Sequence, residues 1–237
     1  MTERLSVAYG AHAIEVLIVR RARKTLEIAV EPDARVVVTA PLSASLETIA
    51  AKVRKRAGWV RRQQRFFSQY LPRTPARQFL TGETHLYLGR QYRLKVIPSV
   101  QASVKLRRGF LSVHSHHPNR LELTRELVLE WYRARAGSKF QERLENCLER
   151  FNNPEAFRPK VLIVRKLSLR WGSMSPAGRL LLNTRLIEAP VDAIDYVITH
   201  ELCHLQEPHH GPKFFALLER VMPDWEKRKN RLERIMA

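Results

Sequence analysis

Apolar and polar residues alternate along much of the first hundred positions. Ile14, Val16 and Ile18 fall on every second residue, as do Leu26, Ile28 and Val30. After the turn-prone Glu31-Pro32-Asp33, Val36 and Val38 repeat the pattern. Period-two spacing predicts strands with one buried face. Pro41 closes this block, and from Leu46 the step changes to three and four. Leu46, Ile49, Val53, Ala57 and Val60 mark a helix, with Ser45 or Ser43 as its cap. Pro72 and Pro75 make Leu71 to Ala76 a connector. Tyr87 to Leu94 predicts a hairpin turning at Gly89, and Val104 to Val113 a second turning at Arg108-Gly109. The polar stretch His114 to Asn119 closes this β-rich half.

The helical period then returns over Leu123, Leu127, Trp131, Ala134, Phe140, Leu144, Cys147 and Phe151. Gly137 within it marks a kink or a close contact, and Asn152-Asn153-Pro154 ends it. Two strands are expected next, Val161 to Leu169 and Arg179 to Asn183, joined by a turn holding Pro176 and Gly178. Lys213 to Met236 reads as one or two helices broken near Pro223. No internal repeat is visible along the sequence. The expected fold is α+β. A β-rich region over 1–119, with a basic helix near 44–70, precedes a second domain over 120–237.

Composition bounds the classes open to such a chain. At 237 residues and 44% hydrophobic it can bury a core, and no apolar run is long enough to cross a membrane. Residues 1–10 lack the layout of a signal peptide, and the two cysteines, Cys147 and Cys203, are too few for a disulfide framework. Those features lead to the expectation of a cytoplasmic protein with no membrane partner.

The net charge of +19 adds a long-range attraction for polyanions. It is dense on the first helix, where Lys52, Arg54, Lys55, Arg56, Arg61, Arg62 and Arg65 face a single acid, Glu47. Trp59, Phe66, Phe67 and Tyr70 lie among them, so these cations are candidate nucleic-acid contacts. The competing reading is a solvated face whose aromatics continue the buried stripe.

The densest chemistry lies further on. Pro190 fits the first turn of a helix, with Asp192 and Asp195 near its positive end. Ile194, Ile198, Leu202 and Leu205 give it a buried stripe. His200 and His204 stand one turn apart on one face, where two imidazoles can ligate one metal ion. Glu201 lies at the edge of the same arc, placed to reach a water on that ion. Pro208 disfavours helix at Glu207, so the helix should stop near Gln206, and Gly211 permits a bend that returns His210.

His200, His204 and His210 then carry metzincin ligand spacing, with Glu207 where those sites have glycine. His209 is an alternative third ligand, and Glu219 or Glu226 a more distant one. Cys203 projects away from Glu201 and reads as a core thiol. His114, His116 and His117 have no partnering acids and read as solvated.

The chain resembles the YgjP-like metallopeptidases, which are related to SprT-like zinc peptidases. One stretch that carries the resemblance is Arg170-Trp171-Gly172-Ser173-Met174-Ser175, running through Gly178 to Leu182-Asn183-Thr184-Arg185-Leu186. The other is His200-Glu201-Leu202-Cys203-His204-Leu205 with His210, Phe214 and Met222-Pro223-Asp224-Trp225. Ala40-Pro41, Trp59 and Leu88-Gly89 extend it into the first half. The family pattern has cysteine where Met174 stands.

The resemblance implies a zincin-like C-terminal unit, Zn2+ on His200, His204 and His210, and Glu201 as the catalytic base. The expected activity is a zinc-dependent endopeptidase acting on protein or peptide through a metal-activated water. The strand containing Leu180 to Asn183 is expected to hold the substrate by edge pairing. The alternatives are a nucleic-acid-associated peptidase and a non-enzymatic DNA-binding module with a structural metal.

Overall fold

The computed structural model describes residues 2–10, 12–31, 33–68, 77–167 and 170–236. Pro32, Tyr70, the Leu71 to Ala76 connector and the far end of the expected Val161 to Leu169 strand lie outside them. The chain is a mixture of sheets and helices, as expected. Its contacts divide it into two compact units, Met1–Pro75 and Ala76–Met236. The expected boundary at 119/120 therefore differs from the structural one. Leu94, Leu111 and Val113, before that boundary, share one buried cluster with Val128 and Phe140, after it.

The first unit opens with four strands: β1 (Thr2–Tyr9), β2 (His12–Arg21), β3 (Glu27–Val30) and β4 (Val36–Pro41). They form a sheet in the order β1-β2-β4-β3, with the central β2/β4 pair parallel and the outer pairs antiparallel. Alternation decides the buried face: Ile14, Val16 and Ile18 on β2 join Val36, Val38 and Ala40 on β4. Helix α1 (Leu46–Ser68) adds Ile49, Ala50, Val53, Ala57 and Val60 to the same core. Ser45 is its cap, its Oγ accepting from the Thr48 N–H at 3.2 Å.

The second unit begins with β5 (Thr84–Tyr87), β6 (Arg90–Pro98), β7 (Ser103–Arg107) and β8 (Phe110–Ser115). Both expected hairpins form. Their two-residue turns place Leu88-Gly89 at φ 50° and 77° and Arg108-Gly109 at φ 48° and 81°, the left-handed pairing of a type I′ turn. The sheet order is β5-β6-β8-β7, again with a parallel central pair and antiparallel outer pairs. A long helix, α2 (Leu121–Leu148), follows. The first unit's topology thus recurs, although the sequence shows no repeat.

On α2 the buried stripe is Thr124, Val128, Tyr132, Ala136, Phe140, Leu144 and Leu148. That is one residue later than expected over the first half, where Leu123, Leu127 and Trp131 flank the core and Ala134 is exposed. Tyr132 decides the phase, because its hydroxyl donates to the Leu86 carbonyl at 2.7 Å. Gly137 meets nothing within 4 Å where a Cβ would be, so it marks no close contact.

Next come β9 (Val161–Arg165), β10 (Gly172–Met174) and β11 (Arg179–Asn183), in the order β10-β11-β9. Three helices complete the unit: α3 (Val191–Cys203), α4 (Pro212–Val221) and α5 (Trp225–Met236). No described helix is long and apolar enough to cross a membrane.

Asp195 does more than face the start of α3. Its carboxylate, 5% exposed, takes a bidentate pair from Arg143 of α2 at 2.7 and 2.8 Å. Arg150 and Arg228 approach it at 3.5 and 3.8 Å, so one acid ties α2, α3 and α5 together. Asp195→Ala removes the bidentate partner of Arg143, whose side chain is 15% exposed, and leaves it the longer 3.8 Å approach of Glu142. The expected loss is about 3 kcal/mol of stability, read as a melting temperature lower by roughly 10 °C. An unchanged melting temperature would mean the cluster is not a structural tie.

Candidate metal centre

Helix α3 ends at Cys203, three residues before the stop expected from Pro208. Its last turn tightens: the N–H groups of His204, Leu205 and Gln206 bond back to Glu201, Leu202 and Cys203 at 3.0–3.2 Å. The chain then passes Pro208 and turns sharply, the Gly211 N–H reaching the His209 carbonyl at 2.7 Å. Gly211 has φ −95°, so the bend does not depend on glycine freedom.

This path brings His210 back to the helix. The ligand atoms of His200, His204 and His210 lie within 4.8 Å of one another, and His210 Nε2 is 2.9 Å from His200 Nε2. His204 Nδ1 donates to the Glu207 carbonyl at 3.0 Å, which leaves Nε2 with its lone pair free. Phe214, fully buried on α4, packs against all three imidazoles with ring centroids 4.7–4.9 Å away. It is an apolar floor that fixes the three ring planes.

Burial disfavours the charged form of two of these rings. Burial, reinforced by His204 and His210, pushes His200 down to about 3. Burial and then His204 lower His210. Neutral imidazoles with convergent nitrogens are the donor set a divalent ion of borderline softness requires. His200 Nδ1 is buried without a hydrogen-bond partner among the described residues.

Glu201 stands beside this cluster, 8% exposed. Its Oε2 accepts from the Met174 N–H of β10 at 2.8 Å. Burial raises its carboxyl to about 7, against the lowering effects of that N–H and of Arg170. Gly172 lies against it: a Cβ there would sit 2.8 Å from Glu201 Cγ and 3.0 Å from Oε1.

Other expected residues fall elsewhere. His209 and Glu226 are exposed and outside the cluster, and Glu219 accepts from Trp225 Nε1 at 2.7 Å. Cys203 is fully buried, and burial pushes its thiol up to about 12, as a core residue requires. His114, His116 and His117 form no metal-holding group among the described residues.

The α1 cations belong to the first unit. Arg61 is half-buried and the other six are exposed, and none has an ion pair among the described residues. Trp59 packs partly on that unit's core, whereas Tyr70 and the Phe66 side chain lie outside the description.

The parts played by three features were not anticipated. One is the short β10, whose backbone holds Glu201. Another is Gly172, which makes room for that carboxylate. The last is the Phe214 floor. At Met174 the peptide N–H makes the contact with Glu201, while the side chain packs partly against the core. Although distant in sequence from the histidines, the residue lies beside the site, and any residue there except proline keeps that N–H.

A family profile described as YgjP-like, metallopeptidase domain, matches residues 24–235. The chain belongs to the YgjP-like metallopeptidase family. It is thus a member of a peptidase family whose chemistry implies a metal, and His200, His204 and His210 are a group of side chains able to hold one. No curated protein matches the chain. Among solved structures, this YgjP-like chain is similar to the metallopeptidase zymogen abylysin of Pyrococcus abyssi. The two share 24% identity over 41% of this chain and 91% of that one, with a TM-score of 0.33.

Proposed function

We propose that the chain is a zinc-dependent endopeptidase with a zincin-like catalytic unit, in which His200, His204 and His210 hold the ion and Glu201 is the general base. The observation that carries this reading is the Glu201 carboxylate, pinned by the Met174 N–H beside three converging imidazoles. A divalent ion held there supplies Lewis acidity, lowering the pKa of water and polarising the scissile carbonyl. Glu201 takes the proton from the attacking water and passes it to the leaving amine. Burial raises this carboxyl to about 7, toward the operating pH of a general acid–base. A purely structural metal has no use for such a group.

Substrate pairing moves to a different strand. β11 is the middle strand of its sheet, flanked by β10 and β9, so Leu180 to Asn183 offer no free edge. β10 is an edge. Trp171 and Ser175 bond toward β11, which turns the peptide groups of Gly172 and Met174 away from it; Glu201 takes the Met174 N–H, so the Gly172 peptide groups and the Met174 carbonyl are the ones proposed for substrate. An extended substrate is proposed to pair there, next to Glu201.

Zinc-loaded protein incubated with casein or mixed peptides should generate new internal termini by mass spectrometry. A chelator should stop the reaction and added zinc restore it. No cleavage by fully zinc-loaded protein would contradict the proposal. Gly172→Ala forces the Glu201 side chain aside, and activity should fall by about 10²-fold with zinc content unchanged. Wild-type activity in that variant would show that the close approach is not needed.

A further inference from the structure

Between Glu83 and Glu122 the sequence runs for 38 residues without an acid. The whole β5–β8 sheet lies in this interval. One face, with Leu94, Leu111 and Val113, is buried in the second unit's core. Register defines the other face. Arg93, Phe110 and Arg107 sit side by side on β6, β8 and β7, and Lys95, Ser112 and Lys105 form the next row. Four cations therefore stand at the corners of a grid with an aromatic ring in the middle of one side. Adjacent strands lie about 4.8 Å apart, so Arg93 and Arg107 flank Phe110 on the neighbouring strands.

Phe110 is 42% exposed, and the four cations are exposed with no ion pair among the described residues. An open cleft at the turn end of the sheet is lined by Arg90, Arg107 and Arg108 together with Tyr92 and Leu106 of the core-side face. The fold itself does not demand this chemistry. The corresponding outer face of the topologically equivalent first sheet mixes Glu15 and Glu27 with Arg4 and Arg21.

We infer that the open face of the β5–β8 sheet binds single-stranded nucleic acid, with Phe110 stacking on a base and Arg93, Arg107, Lys95 and Lys105 taking the flanking phosphates. Stacking on an exposed aromatic combined with phosphate pairing is the physics of single-strand binding. A duplex hides its base faces, and a sheet face this broad enters neither groove. A membrane surface would need more exposed apolar area than one ring bracketed by cations. This goes beyond peptide hydrolysis and requires neither the metal nor Glu201.

The test is fluorescence anisotropy of the full chain with labelled oligo-dT and oligo-U. A duplex of equal length and phosphatidylserine vesicles serve as competitors. Either single strand should bind more tightly than duplex or vesicles, and the two probes separate DNA from RNA preference. Phe110→Ala should weaken binding about tenfold, and Phe110→Tyr should retain it. Arg93→Ala/Arg107→Ala should reduce the slope of log affinity against log salt by about 1.4. Arg61→Ala/Arg62→Ala on α1 should leave affinity within about twofold, since those cations lie outside the platform. The altered residues have exposed side chains apart from the half-buried Arg61, and circular dichroism checks the fold. The inference is overturned by absent single-strand binding at low salt, by tighter binding of duplex or vesicles, by wild-type affinity in Phe110→Ala, or by loss of affinity in the α1 variant instead.

Discussion

Glu201→Gln should keep its metal and lose about 10²–10⁴-fold in kcat, the range for removing a general acid-base. KM should change little. The amide is nearly isosteric with the carboxylate, and its carbonyl can still accept from the Met174 N–H that now binds Oε2 at 2.8 Å. What it cannot do is take a proton. The three imidazoles are untouched, so metal content separates loss of the base from loss of the site. A variant that kept wild-type kcat would remove Glu201 from the chemistry.

His210→Ala should release the metal on dialysis and abolish cleavage. His209→Ala should keep both metal and activity. The two histidines are adjacent in sequence, yet only His210 turns its ring onto His200 and His204, with centroids 4.9 and 4.6 Å away. His210 also comes from the loop beyond α3, whereas the other two share one helical turn. Its loss leaves two donors on a single helix face, fewer than a protein zinc site uses. Retained metal in His210→Ala, or lost metal in His209→Ala, would reassign the third ligand.

The helix pair of histidines was legible because a four-residue step fixes its own geometry. The return of His210 was legible because Pro208 bars the helix from continuing to His210, although α3 ends earlier, at Cys203. The helix stop was less so: the tightening after Cys203 depends on carbonyls seeking partners, which no residue type announces. β10 was missed because Gly172-Ser173-Met174 has three residues and no alternation, and its pairing to Leu180, Leu181 and Leu182 is set by the sheet. The same strand displaced the expected edge from β11.

The phase of α2 slipped for a related reason. Leu123, Leu127 and Trp131 are more apolar than Thr124 and Tyr132, but the Tyr132 hydroxyl has a backbone partner across the core. The boundary at 119/120 followed polarity, whereas the units are divided by which residues share a core. The recurring sheet order in the two units was invisible because pairing topology constrains alternation and not residue identity.

The most direct test of the central claim is the zinc K-edge X-ray absorption spectrum of zinc-loaded protein. Three imidazole nitrogens at about 2.0–2.1 Å with one further light-atom ligand are expected. A sulfur scatterer at about 2.3 Å, which would bring Cys203 to the metal, or fewer than three imidazoles, would contradict the site built on His200, His204 and His210.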